Sequence, residues 1–91
     1  MKELHVVKRK GHKEKFDGKK VYASVYWACK TTGMGEQKCE KVSGEVLKEV
    51  KKWIEDKPVV DSAEIFNRIT EKLKKISKDI SYMYSTLRDI S

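Results

Sequence analysis

Apolar residues recur every three or four positions in two long stretches, and this constrains the fold more than any other feature. Ile65, Ile69, Leu73 and Ile76 form one stripe, while Val42, Val46, Val50, Trp53 and Ile54 form another between lysine and glutamate pairs. Each stripe predicts a helix with one face to bury against a neighbour. Asp61 precedes the first stripe with Glu64 three residues later, a capping-box-like start that puts Ser62 at the first helical position. "DKPVV" ends the other, because Pro58 disfavours helix at the residue before it.

The remaining elements follow from shifts in period. "ELHVVKR" and "HKEKFD" flank "KGH" and read as a β-hairpin, to which the "VV" after Pro58 adds a third strand. From Gly18 onward Val21, Val25, Ala28 and Cys29 recur at helical spacing, and the glycines of "KTTGMG" stop that helix. Gly44 weakens the second helix by about 1 kcal/mol relative to alanine. A last helix carries Ile80, Met83, Leu87 and Ile90 on one face, with Tyr82 and Tyr84 beside it. The predicted order is β-β-α-α-β-α-α, an α+β domain spanning 1–91 in which a small four-helix bundle is capped by a short three-stranded sheet. A chain of 91 residues buries roughly 60 to 68% of its unfolded surface, enough for one modest core. Trp27 and Trp53 are expected in that core or at its edge, and Tyr22 and Tyr26 on one helix face.

Charge narrows the partners. Lys plus Arg number 21 against 14 Asp plus Glu, so the chain should attract a polyanion: nucleic acid, acidic lipid or a nucleotide. No apolar run approaches the ~20 residues of a membrane span, and "MKELHVVKRK" lacks the apolar stretch of a signal peptide, so a cytoplasmic location is expected. Cys29 and Cys39 form no CxxC pair and have no histidine at metal spacing, which predicts reduced, packed thiols and no metal. His5 and His12 have no cysteine, serine or acid arranged with them for nucleophilic catalysis.

The lysine-rich segment "VVKRKGHKEKFDGKKVY" is the candidate binding region. A P-loop needs four residues between its glycines and a hydroxyl after the lysine. Here six residues separate Gly11 from Gly18, and Lys20 follows Lys19. GxGxxG is absent as well. Alternation along the strands puts Val6 and Lys8 on one face of the first strand and Glu14 and Phe16 on one face of the second. Lys20 and Val21 then open a helix whose free amides favour an anion. A pocket so bounded can hold an apolar ring, a hydrogen-bonding acid and phosphate-neutralising cations.

"VVKRKG", "EKFDGKKVYASVYWA", "VVDSAEI" and the closing "LRDI" together resemble the ATP-cone domain, the nucleotide-binding regulatory module of ribonucleotide reductases, over nearly the whole chain. The resemblance implies a non-catalytic domain with ATP or dATP as its allosteric ligand, and magnesium accompanying the phosphates. It implies apolar walls from Val6, Phe16, Val21 and Ile65 around an adenine ring, with Glu14 and Asp17 at the base edge. Lys8, Arg9 and Arg88 would neutralise the phosphates, with Lys20 and Ser62 close to sugar or phosphate. Two positions depart from the family pattern: Phe66 stands where a polar residue often follows the isoleucine, and Tyr84 where an alanine is common. Most cones are fused to a catalytic domain or follow a zinc ribbon in a repressor of reductase genes, so this chain is either a free-standing regulator, acting on a protein partner or its own oligomer, or a piece of something longer. The competing readings are a basic nucleic-acid-binding module and a protein-interaction module whose pocket is degenerate.

Overall fold

The structure is a computed structural model that describes residues 5–7, 13–55, 57 and 59–90, with the side chains at 13, 14 and 87–90 excepted. Its elements run β1 (His5–Val7), β2 (Lys13–Lys15), α1 (Gly18–Thr31), α2 (Glu36–Ile54), β3 (Val59–Asp61), α3 (Ser62–Ile76) and α4 (Lys78–Ile90). The architecture is α+β with four helices. The "KGH" turn and the outer residues of "ELHVVKR" lie outside the described residues.

β1 lies at the centre of the sheet. It pairs antiparallel with β2, with Val6 opposite Glu14, and parallel with β3, with Val6 opposite Val60 and Val7 opposite Asp61. Against this sheet the helices close a ring in which α1 packs on α2 and α4, and α3 packs on α4 and α2. The core between them holds Val25, Ala28, Cys29, Cys39, Val46, Val50, Ile69, Leu73 and Ile80, with Val6 and Val60 supplied by the sheet. The predicted stripes are therefore the buried ones, with one correction. Ile76, expected to face inward, lies at the last turn of α3 and is exposed, because the core ends at Leu73. Leu87 and Ile90 lie among the side chains not described.

Helix ends follow local chemistry. Asp61 accepts the Ala63 amide at 2.8 Å, and Asp17 accepts the Lys19 amide at 2.9 Å, so a carboxylate caps each helix that follows a strand. α1 ends in a turn where Gly33 takes φ of +88°, a conformation that only glycine adopts without strain. The start of α1 also depends on a glycine. A Cβ on Gly18 would come within 3.2 Å of Leu47 Cδ1 and Lys51 Cε, so its absence lets α2 approach closely.

Candidate functional site

The site predicted from sequence is organised by β1. Because β2 is antiparallel and β3 parallel to it, α1 begins beyond the end of the sheet where β1 starts, and α3 begins beyond the end where β1 finishes. For a strand of three residues these ends are only about 7 Å apart. Asp17, Lys20 and Val21 thus flank one end of Val6, while Ser62 and Ile65 flank the other.

The four expected wall residues meet in one apolar cluster. Val6 and Ile65 are core members at 6% and 7% exposure, and Phe16 and Val21 pack half-buried against the same core. Much of that wall is consumed by packing, so a planar ring would meet Phe16 and Val21 more than Val6 or Ile65. Asp17 is exposed, and one carboxylate oxygen is engaged as the α1 cap. Lys20 is exposed, with its amide bonded to the Asp17 carbonyl at 3.2 Å. Ser62 is half-buried at the first position of α3. Lys8 and Arg9 lie outside the described residues, as do the side chains of Glu14 and Arg88, although the Glu14 backbone is fixed opposite Val6.

Three aromatic features complete the surface. Phe66 stacks on Tyr84 across α3 and α4, with ring centroids 5.6 Å apart and planes at 24°. These are the two positions that depart from the resembled pattern, and the fold brings their rings into contact. Nearby, the Ser81 hydroxyl donates to the Thr70 carbonyl at 3.1 Å and ties the same helices. Trp53 sits at the core's margin beneath the Arg68 guanidinium, 4.6 Å from its centroid, and the Lys57 ammonium, 5.4 Å away.

The third feature corrects the reading of Trp27, which is 40% exposed and not part of the core. It lines an open groove of about 550 Å³ with Tyr22, Ala23, Tyr26, Lys30 and, from α2, Glu40. The Tyr22 and Tyr26 rings stack 6.3 Å apart at 16°. Burial, with Glu36 and Glu40 next, pushes the Tyr26 phenol above its ordinary pKa. Among the described residues, none of those expected to hold a nucleotide lines this groove. The four-residue spacing of the tyrosines was its only trace in the sequence.

Cys29 and Cys39 are free, buried thiols. Burial pushes Cys29 up to about 12, helped by the charge and hydrogen bond of Cys39, whose own thiol donates to the Met34 carbonyl at 3.5 Å. Such thiols are packing groups and poor nucleophiles. Among the described residues no three His, Cys, Asp or Glu side chains group as metal ligands, and no helix is long and apolar enough to cross a membrane.

Comparison with known proteins gives a match to the ATP cone domain over residues 4–90. The chain is 30% identical over 93 positions to the transcriptional repressor NrdR of Carboxydothermus hydrogenoformans, covering 97% of this chain and 58% of that protein. It is 31% identical over 94 positions to the transcriptional repressor NrdR of Kosmotoga olearia, covering 98% and 58%. It thus spans under two thirds of the length of these relatives.

Proposed function

The chain belongs to the ATP-cone domain family, and from that membership we propose that it is a non-catalytic regulatory domain binding ATP or dATP. The extent of the family match, residues 4–90, is the observation that carries this reading. The adenine ring lies against Phe16 and Val21, with Val6 and Ile65 behind them. Its amino group needs an acceptor, which the carboxylates of Glu14 and Asp17 provide. Lys8, Arg9 and Arg88 neutralise the phosphates, and Lys20 and Ser62 hold sugar or phosphate. Magnesium, where it accompanies the nucleotide, is held by the phosphates.

Occupancy is passed to a protein partner or to a second copy, and through it to ribonucleotide reductase or its genes. Such coupling requires two states that bind the ligand differently. A second reading, direct contact with nucleic acid, is favoured by the relatives' description as transcriptional repressors and by the net charge of +7.

Isothermal titration with ATP, dATP and GTP at about 0.15 M salt separates these readings, since exposed charges are then screened beyond ~8 Å. Saturable ATP binding near micromolar, roughly −8 kcal/mol, with GTP much weaker, is expected. Glu14→Ala and Lys8→Ala should each weaken it by about 1 to 3 kcal/mol. No heat with ATP, together with DNA binding that falls steeply with salt, would replace the nucleotide reading with the nucleic-acid one.

A further inference from the structure

We propose that Cys29 and Cys39 are a dithiol pair that a low-molecular-weight disulfide oxidises to an intramolecular disulfide, a modification site joining the end of α1 to the start of α2. Both thiols are free and fully buried in the same core, one in the last turn of α1 and the other in the first turn of α2. The turn between them is fixed at both ends. The Met34 amide donates to the Cys29 carbonyl at 3.2 Å, the Cys39 amide donates to the Gly35 carbonyl at 2.9 Å, and Gly33 reverses the chain with φ of +88°. The Cys39 thiol donates its one proton to the Met34 carbonyl at 3.5 Å, so in the hydrogen bond between the two side chains Cys29 is the donor and the Cys39 sulfur the acceptor. One sulfur is thereby set directly against the other. The chain has no third cysteine, so oxidation within one molecule has a single product.

In the closed fold the pair reacts slowly, because burial holds the Cys29 thiol in its protonated form. Reaction proceeds through local opening of the α1–α2 turn, where Thr32, Gly33 and Gly35 are exposed. In the opened turn one thiolate attacks the disulfide R–S–S–R, whose S–S bond breaks to release R–S⁻ and leave a mixed disulfide on the protein. The second thiolate attacks the protein sulfur of that mixed disulfide, forming the Cys29–Cys39 bond and expelling another R–S⁻. The protein gives up two protons and two electrons, and the oxidant becomes two thiols.

Loop length sets the size of the effect. For a loop of roughly ten residues, the closure entropy removed from the unfolded chain corresponds to about a 100-fold gain in the folding constant. By reciprocity, the folded chain favours the disulfide over the unfolded chain by the same factor. None of this requires a nucleotide, so the proposal stands or falls separately from the nucleotide reading.

Equilibration of the whole chain with mixtures of reduced and oxidised glutathione, with and without denaturing urea, tests this. After acid quenching, the disulfide form is read by mass spectrometry as a 10.6 kDa chain lighter by about 2 Da, the two hydrogens lost. The equilibrium constant for its formation should be about 100-fold larger in the folded chain than in urea. The oxidised chain should keep its helical circular dichroism and melt on the order of 10 °C above the reduced one. Cys29→Ala and Cys39→Ala should each abolish both the mass loss and the shift in melting. A constant in the folded chain equal to or below that in urea overturns the proposal, as does loss of helix signal on oxidation. Products confined to glutathione adducts or to cross-linked chains of twice the mass overturn it equally, since the two sulfurs then do not reach each other in the fold.

Discussion

Asp17 is asked to do two things, and substitution can separate them. One oxygen of its carboxylate accepts the Lys19 amide at 2.9 Å as the cap of α1, and the other has no hydrogen-bond partner among the described residues. Asp17→Ala removes both roles. The cap loss should lower stability by about 1 kcal/mol, a fall of roughly 4 to 8 °C in Tm for a domain of this size. Asp17→Asn keeps the capping oxygen and replaces the other with an amide donor. Asparagine caps helices as well as aspartate, so the loss should be limited to the carboxylate's attraction to the helix dipole, about 0.3 to 1 kcal/mol. Adenine presents its amino group as a donor, and donor against donor removes the contact. ATP affinity should then fall by about 1 to 3 kcal/mol, or 5- to 150-fold, while GTP, whose base offers an acceptor at the same edge, gains relative to ATP. Thermal melts and calorimetric titration of the two variants read the two roles. Wild-type Tm in Asp17→Ala would refute the capping argument, and wild-type ATP affinity with unchanged ATP/GTP preference in Asp17→Asn would refute the placement of the base.

Two further outcomes follow from the interior. The Ser43 hydroxyl in α2 is buried with no hydrogen-bond partner among the described residues, so Ser43→Ala removes an unmet polar group and improves helix propensity; a gain of about 1 kcal/mol, seen as a higher denaturant midpoint, is expected, and a loss would mean that the hydroxyl is bonded. Cys29 is raised in the folded state from 9.0 to about 12, so its contribution to stability is fully present below pH 9 and is lost as pH rises through about 12; Tm should therefore fall more steeply with pH between 9 and 12 in the wild-type chain than in Cys29→Ala, and equal slopes would contradict this.

The legible parts of this protein are those that local chemistry determines. Helical periodicity identified the buried faces of α2 and α3, Asp61 with Glu64 marked the start of α3, and the glycines after Thr32 ended α1 where Gly33 takes a positive φ. The family was legible for the same reason, since its signature lies in short stretches around strand and helix ends. Each of these is decided within one or two helical turns.

What only the tertiary structure decided are pairings between residues far apart in the chain. β1 is central because it takes β3, more than fifty residues later, as a parallel partner, and this places Val6 between Asp17 and Ser62. Val6 and Ile65 are read equally well as pocket walls or as core from their identity; only the packing of sheet on helices makes them mostly core. The Phe66–Tyr84 stack joins two helices whose ring-to-ring geometry no spacing encodes. Trp27 shows the limit most directly. A tryptophan at helical spacing is apolar whichever way it faces, and burial of Ala28 and Cys29 beside it turned its ring to the surface, because a helix can present only one of its faces to a single core.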